Sequence, residues 1–167
     1  MRGSHASNQV DMFLGTGCFE IAGMTYDRGS ESMGHKTVGD GNVCIYCHME
    51  ESSPHGYPIS DHTFEAYEAA CTMCHNGQGT FPNYNNLQTE IADKLAQVEN
   101  WLSNLYPGGN PIDSLTSTTW INAHPLNATQ REALYGYKFV RNDGSLGVHN
   151  PAYALSVINN SLAALGL

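Results

Sequence analysis

The sequence predicts a mainly α fold with a loop-rich N-terminal half, about three helices in the C-terminal half, and little or no β-structure. Residues 8–43 contain many glycines and show no sustained hydrophobic period, a pattern typical of loops and turns. Between residues 86 and 106, in contrast, apolar side chains recur every three or four positions, as on the buried face of a helix. These positions are Leu87, Ile91, Leu95, Val98, Leu102 and Leu105, with Trp101 beside them.

Two further helices are predicted from their capping residues. Asn127, with Gln130 three positions later, is typical of a helix start, and Leu134, Tyr137 and Val140 would share one face of that helix. Asn150 and Pro151 mark the start of the last helix. Its buried face would comprise Leu155, Ile158, Leu162 and Leu165, and Gly166 would end it.

A short motif occurs twice in the first half of the chain. Residues 44–48 read Cys-Ile-Tyr-Cys-His, and residues 71–75 read Cys-Thr-Met-Cys-His. In such a run, two thiols form thioethers with the vinyl groups of one porphyrin and the histidine lies under the iron. The sequence therefore predicts two haem c groups, onto which the C-terminal helices would pack. The attachment residues would be Cys44, Cys47, Cys71 and Cys74, and the proximal iron ligands His48 and His75.

The four motif cysteines allow two other interpretations. Two C-x2-C pairs separated by residues 48–70 would also suit a structural zinc site, or a thiol-redox pair. A zinc site does not explain why a histidine directly follows both pairs. The fifth cysteine, Cys18, is interpreted as a buried small residue or as a thiol that pairs between molecules.

Composition and charge limit the partners and the compartment. A length of 167 residues suits a single domain. Residues 1–7 look like an expression leader, so the domain would span residues 8–167. The formal net charge of −9 argues against nucleic acid as a partner. No stretch resembles a membrane span. Covalent haem attachment implies a periplasmic or extracellular protein whose export signal is missing from this chain.

Each iron needs a sixth ligand if the haems are to carry electrons rather than bind substrate. A histidine held at a helix start is the best candidate, which favours His62 and His149. Met24 and Met33 lie in glycine-rich segments and are weaker competitors. The other candidate histidines are His35, His55 and His124.

Part of the chain resembles a known family of multihaem cytochromes. Residues 47–49, residues 60–64 and the second motif are similar to the last two haem sites of cytochromes related to ammonia-forming cytochrome c nitrite reductase. Residues 143–152, which contain Gly-Val-His-Asn-Pro, are similar to a helix start near the C-terminus of those proteins. The resemblance covers roughly residues 33–165 in order.

The resemblance implies specific distal ligands. His149 would complete the haem of the first motif, and His62 that of the second. His35 lies close to where the nitrite reductases place a substrate-pocket histidine. The chain has no Cys-x-x-Cys-Lys run and no third haem motif, so the open haem on which those enzymes reduce nitrite is missing from it.

The leading hypothesis is electron transfer by a dihaem c-type cytochrome, or by the two-haem portion of a larger multihaem cytochrome. Both haems would be bis-His and of low potential, with other redox proteins as partners and no catalytic residue. One alternative is an enzyme that reduces nitrite, hydroxylamine or peroxide at a five-coordinate haem. Another is an extracytoplasmic haem-based sensor.

Overall fold

The computed structural model describes residues 8–30, 34–37, 43–49, 66, 68–75, 83–106 and 126–167. This part of the chain is mainly α-helical and contains no β-strand, which confirms the predicted fold class. Residues 1–7 and residues 107–125 lie outside the described ranges, and so do four of the candidate ligands. Those four are Met33, His55, His62 and His124.

The described helices fall into two compact units. The motif unit, residues 30–86, contains α2 (Gly34–Thr37), α3 (Val43–His48) and α4 (Glu68–His75), and ends in a 3-10 turn, Tyr84–Asn86. The helical unit consists of residues up to 29 together with residues 87–167. It contains α1 (Gln9–Leu14), α5 (Leu87–Leu105), α6 (Ala128–Asp143) and α7 (Pro151–Leu165).

Helix α5 confirms the helix predicted from the spacing of its apolar residues. Four residues of the predicted face are buried: Ile91, Leu95, Val98 and Leu102. Leu105, however, is 43% exposed, because it is the last residue of the helix and lies beyond the packed face. The helix packs against α7 and also contacts α6.

The start of α6 has the predicted capping geometry. The side chain of Asn127 accepts a hydrogen bond from the backbone N–H of Gln130 at 2.8 Å. The Gln130 side chain accepts one in return from the backbone N–H of Asn127 at 3.0 Å. This reciprocal arrangement satisfies two N–H groups that a helix start leaves unpaired. The predicted face of α6 is also confirmed, since Leu134, Tyr137 and Val140 are all buried.

Helix α7 begins at Asn150 and Pro151 and ends at Gly166, as predicted. Its buried face differs in part from the prediction. Ile158 and Leu162 are buried, but Leu155 and Leu165 pack only at the margin of the core. Because α7 contacts both α5 and α6, its buried stripe is wider than a simple amphipathic pattern suggests. The stripe comprises Tyr153, Ala154, Val157, Ile158, Ser161 and Leu162.

The prediction of loops throughout residues 8–43 is wrong where the structure forms α1, α2 and the start of α3. Helix α1 has only six residues, too few to show a hydrophobic period. Tertiary contacts stabilise it instead: Met12 is fully buried, and Asn8 donates a hydrogen bond from Nδ2 to the Phe139 carbonyl at 2.6 Å. Gly15 ends the helix in the left-handed conformation, with φ of 72°.

The helices of the helical unit share one core of apolar side chains. Leu95, Leu102, Leu134 and Leu162 belong to this core, and Leu155 packs at its margin. Helices α1, α5, α6 and α7 therefore cover one another's apolar faces.

Candidate haem sites

Both Cys-x-x-Cys-His motifs lie on helices. Residues 44–48 occupy all of α3 after its first residue, and residues 71–75 form the second half of α4. Residues three and four positions apart lie on one helix face, so the two thiols and the imidazole of each motif point to the same side. This placement fits covalent attachment of one porphyrin along each helix, with the histidine below the iron.

The exposure of these side chains also fits haem attachment. Cys44 and Cys74 are exposed, whereas Cys47 and Cys71 are half-buried. All five cysteines lie within the described ranges, and none of them forms a disulfide. His48 and His75 are half-buried. The thiols therefore lie where a large flat ligand could reach them without unfolding the helix.

The geometry does not match a shared zinc site. Among the described residues, no three histidine, cysteine, aspartate or glutamate side chains come together as metal ligands. A structural zinc site would need four such ligands in tetrahedral arrangement. The four motif thiols are not arranged in that way.

The two motif helices are neighbours within the motif unit. Helix α3 contacts both α2 and α4. His35, on α2, lies close to the histidine of the second motif: the His35 and His75 ring centroids are 6.0 Å apart, with an angle of 82° between the ring planes. His35 precedes the first motif in sequence, but the fold places it beside His75, the histidine of the second motif.

In the helical unit, His149 lies at the end of a tight loop that joins α6 to α7. Gly144 ends α6 with φ of 76°, and both Leu146 and Gly147 also have positive φ. A leucine rarely adopts this conformation, so its presence indicates a loop held by its surroundings. The backbone N–H of Val148 donates to the Ser145 carbonyl at 3.3 Å. His149 is therefore presented by a constrained loop.

The imidazole of His149 contacts a buried carboxylate. Nδ1 of His149 lies 2.6 Å from Oδ1 of Asp143, whose side chain is only 1% exposed. The other oxygen of Asp143 accepts hydrogen bonds from the hydroxyl and from the backbone N–H of Ser145. The Ser145 hydroxyl also accepts a hydrogen bond from the backbone N–H of His149 at 3.2 Å. The His149 side chain itself is 23% exposed.

Sequence reasoning did not identify Asp143 and Ser145 as part of this site. The sequence does place an acid and a hydroxyl, Asp143 and Ser145, within six residues of the candidate ligand His149. Such short polar runs are common in loops, however, and only the fold shows that the Asp143 carboxylate turns towards the His149 ring.

Of the methionine competitors, Met24 lies half-buried in a turn of the helical unit, with its backbone N–H donating to the Ile21 carbonyl.

Cys18 is distinct from the motif cysteines. It lies in the helical unit, half-buried beside the core. Burial, followed by the charge of the nearby Glu20 carboxylate, raises the pKa of its thiol to about 12. The thiol is thus protonated at neutral pH.

Comparison with known families supports the haem interpretation of the motifs. The sequence model of the cytochrome c552 family matches residues 32–165, which include both motif helices and α5 to α7. The chain belongs to the cytochrome c552 family. Membership implies bound haem c and a role in electron transfer or nitrite reduction. Cytochromes of this family are typically periplasmic.

Other comparisons add little to the family assignment. Neither the search of curated proteins nor the search of solved structures gave a match. Within the described ranges, every helix is too short or too polar to cross a membrane.

Proposed function

We propose that this member of the cytochrome c552 family is a dihaem electron carrier in which both irons are coordinated by two histidines. The observation that carries the proposal is the placement of each Cys-x-x-Cys-His motif on one face of its own helix, α3 or α4. When bound, each haem would supply a one-electron couple at iron. The chain would attach the haems through Cys44, Cys47, Cys71 and Cys74, with His48 and His75 as proximal ligands.

The contact between α3 and α4 supports electron exchange between the two haems. Neighbouring attachment helices keep two porphyrins within a short distance of each other. The charge on one iron would then make reduction of the other harder in a partly buried site. A redox titration should be broader than a single one-electron curve, with both midpoints negative, because two imidazoles favour low potentials.

The distal ligands proposed are His149 and His62. His149 is supported by its constrained loop and by the Asp143 carboxylate at Nδ1, since iron-binding histidines usually donate their other ring N–H to such a group. The family resemblance assigns His149 to the haem of the first motif and His62 to that of the second. The assignment of His62 as a distal ligand rests on this resemblance and on its position in the sequence.

His35 is the alternative to His62 for the second haem. Two imidazoles that bind one iron from opposite sides have ring centroids about 6 Å apart, given metal–nitrogen bonds of about 2 Å. The His35 and His75 rings are separated by 6.0 Å, and perpendicular ring planes are compatible with such ligation. His55 and His124 lie outside the described residues and remain alternatives from the sequence.

The ligand assignment is tested by single substitutions and visible spectra. His149→Ala and His62→Ala should each convert one of the two haems from low-spin to high-spin and leave the other unchanged. An unchanged spectrum in His62→Ala, with a high-spin signal in His35→Ala, would move the second ligand to His35. A charge-transfer band in the red region of the oxidised spectrum would instead indicate a methionine ligand.

The enzyme alternative is tested by turnover. The carrier hypothesis expects no reduction of nitrite or hydroxylamine above that of free haem when a reduced dye supplies electrons. Sustained turnover, together with a high-spin signal in the unmodified protein, would favour catalysis at a five-coordinate haem. His35→Ala would then be the first variant to assay, because the family resemblance places a substrate-pocket histidine near this position.

The acidic composition suggests the kind of redox partner. With a formal net charge of −9, the chain would attract a basic redox protein, and ionic strength should slow their association. The proposed compartment is the periplasm or the cell exterior.

A further inference from the structure

The contacts of His149 suggest a role for a residue that does not itself touch iron. A histidine that binds a metal through one ring nitrogen is held in place by a hydrogen bond from the other. Nδ1 of His149 lies 2.6 Å from Asp143 Oδ1, which leaves Nε2 as the ring nitrogen that would bind iron. The contact joins the last residue of α6 to the residue just before the N-cap of α7.

The Asp143 carboxylate is held on both oxygens. Oδ1 faces His149, and Oδ2 accepts from the Ser145 hydroxyl and from the Ser145 backbone N–H at 3.3 Å. Since the side chain is only 1% exposed, it cannot turn into solvent without breaking these contacts. The carboxylate therefore defines one orientation of the His149 ring.

The position of Asp143 is unfavourable for helix stability alone. It is the last residue of α6, where the partial negative charge of the helix end disfavours an acidic side chain. Burying the carboxylate adds a desolvation cost. An acid that is both buried and at the unfavourable end of a helix is better explained by its contacts, which are with Ser145 and His149.

We propose that Asp143 is the positioning residue for an iron-binding His149, an inference that rests on the proposed function. The carboxylate fixes the tautomer and the plane of the imidazole, so that Nε2 would be available to the iron. It also makes the ring a stronger electron donor, which stabilises the ferric state and lowers the midpoint potential of that haem.

The test is Asp143→Asn, which keeps the size of the side chain and removes its charge. The holoprotein should retain two haems and its helical content by circular dichroism. One of the two midpoint potentials should shift upwards, and the g values of one low-spin EPR signal should change. Asp143→Ala should in addition let carbon monoxide bind a fraction of one ferrous haem, because the unsupported imidazole dissociates more readily.

Asp93→Asn is the matched control. Asp93 is exposed on α5 in the same unit, so this variant makes the same change in net charge on a different helix. It should leave the EPR g values unchanged and shift the potentials less than Asp143→Asn does. Equal effects in the two variants would overturn the positioning role, because they would show only a general response to charge.

A measurement on the unmodified protein does not depend on any variant folding. In the diamagnetic ferrous state, proton–nitrogen correlation spectra should show a slowly exchanging proton on Nδ1 of His149. An Nδ1 that carries no proton would overturn the proposal.

His149→Ala separates this proposal from the proposed ligation. If His149→Ala opens one haem but Asp143→Asn changes neither potential nor g values, the ligand assignment stands and the role of Asp143 is wrong. If His149→Ala leaves both haems low-spin, both assignments are wrong.

Discussion

At the scale of single residues, the five cysteines fall into two chemical classes. Four lie in the two motifs, on helices and open enough to react with a porphyrin, whereas Cys18 lies beside the core of the helical unit. Burial, followed by the charge of Glu20, raises the Cys18 pKa to about 12. In the holoprotein Cys18 would be the one thiol not bound to haem, so its reactivity can be measured without interference.

We expect iodoacetamide to alkylate Cys18 slowly in the folded holoprotein. The thiolate is the reacting form, and its fraction rises about tenfold per pH unit below the pKa. The rate should therefore keep rising from pH 8 to 11, without the plateau above pH 9 that an ordinary thiol such as glutathione shows. Mass spectrometry of timed samples measures the rate. A plateau near pH 9 would contradict the raised pKa.

Residue identities alone indicated the motif cysteines and histidines, because their spacing is itself the chemical requirement. The partners of His149 could not be inferred in this way. Whether Asp143 meets the imidazole depends on the positive φ values at Gly144, Leu146 and Gly147, which set the path of the loop. Sequence patterns do not determine such a path.

At the scale of helices, local signals predicted some elements well. The capping pair of Asn127 and Gln130 and the N-cap Asn150 are short-range interactions, and each was predicted correctly. Asn150 also has a long-range role. Its side chain is fully buried and donates from Nδ2 to the Arg28 carbonyl at 3.0 Å and to the Phe13 carbonyl at 3.3 Å. It thereby ties the N-terminal segment to the start of α7.

Packing between helices was not predictable from local patterns. Helix α1 is too short to carry a period, and the buried face of α7 depends on its two neighbours. Gly136 is another residue whose role depends on packing between helices and not on its local sequence. A glycine within a helix is usually unfavourable, but a Cβ at this position would meet the Ser161 hydroxyl and lie 3.2 Å from Val157 Cγ1 on α7.

We expect Gly136→Ala to destabilise the protein, although alanine favours helices. Overpacking costs roughly 1–3 kcal/mol, which outweighs a helix-propensity gain of about 1 kcal/mol. Urea unfolding followed by circular dichroism measures the change. Ser161→Ala removes the hydroxyl that the new methyl group would meet, so the double variant should recover stability relative to Gly136→Ala. A stabilising Gly136→Ala, or a double variant no more stable than the single one, would contradict this account.

At the scale of the whole molecule, the two units differ in what would stabilise them. The helical unit has a closed core of side chains from α1, α5, α6 and α7. In the motif unit, the described residues of α2 and α3 include none that are fully buried. Short helices without a buried core are marginal in water, so two covalent porphyrins would supply apolar surface where it is needed.

Removal of the haems should therefore affect the two units unequally. We expect the variant with Cys44, Cys47, Cys71 and Cys74 all replaced by alanine to keep a cooperative thermal transition from the helical unit. Limited proteolysis should cut it within residues 30–86, and the unmodified holoprotein should resist under the same conditions. Loss of the cooperative transition would show that the helical unit also requires haem, as packing of the C-terminal helices on the porphyrins would imply.

The central claim, two covalent haems on two motif helices, is tested most directly by intact-protein mass spectrometry after acid-acetone extraction. Each chain should retain the mass of two porphyrins, and a pyridine haemochrome assay should give two haems per chain. Replacing Cys71 and Cys74 by alanine should remove one haem and leave the other. A chain that loses all porphyrin to the organic phase, or that carries zinc in stoichiometric amount instead, would contradict the account.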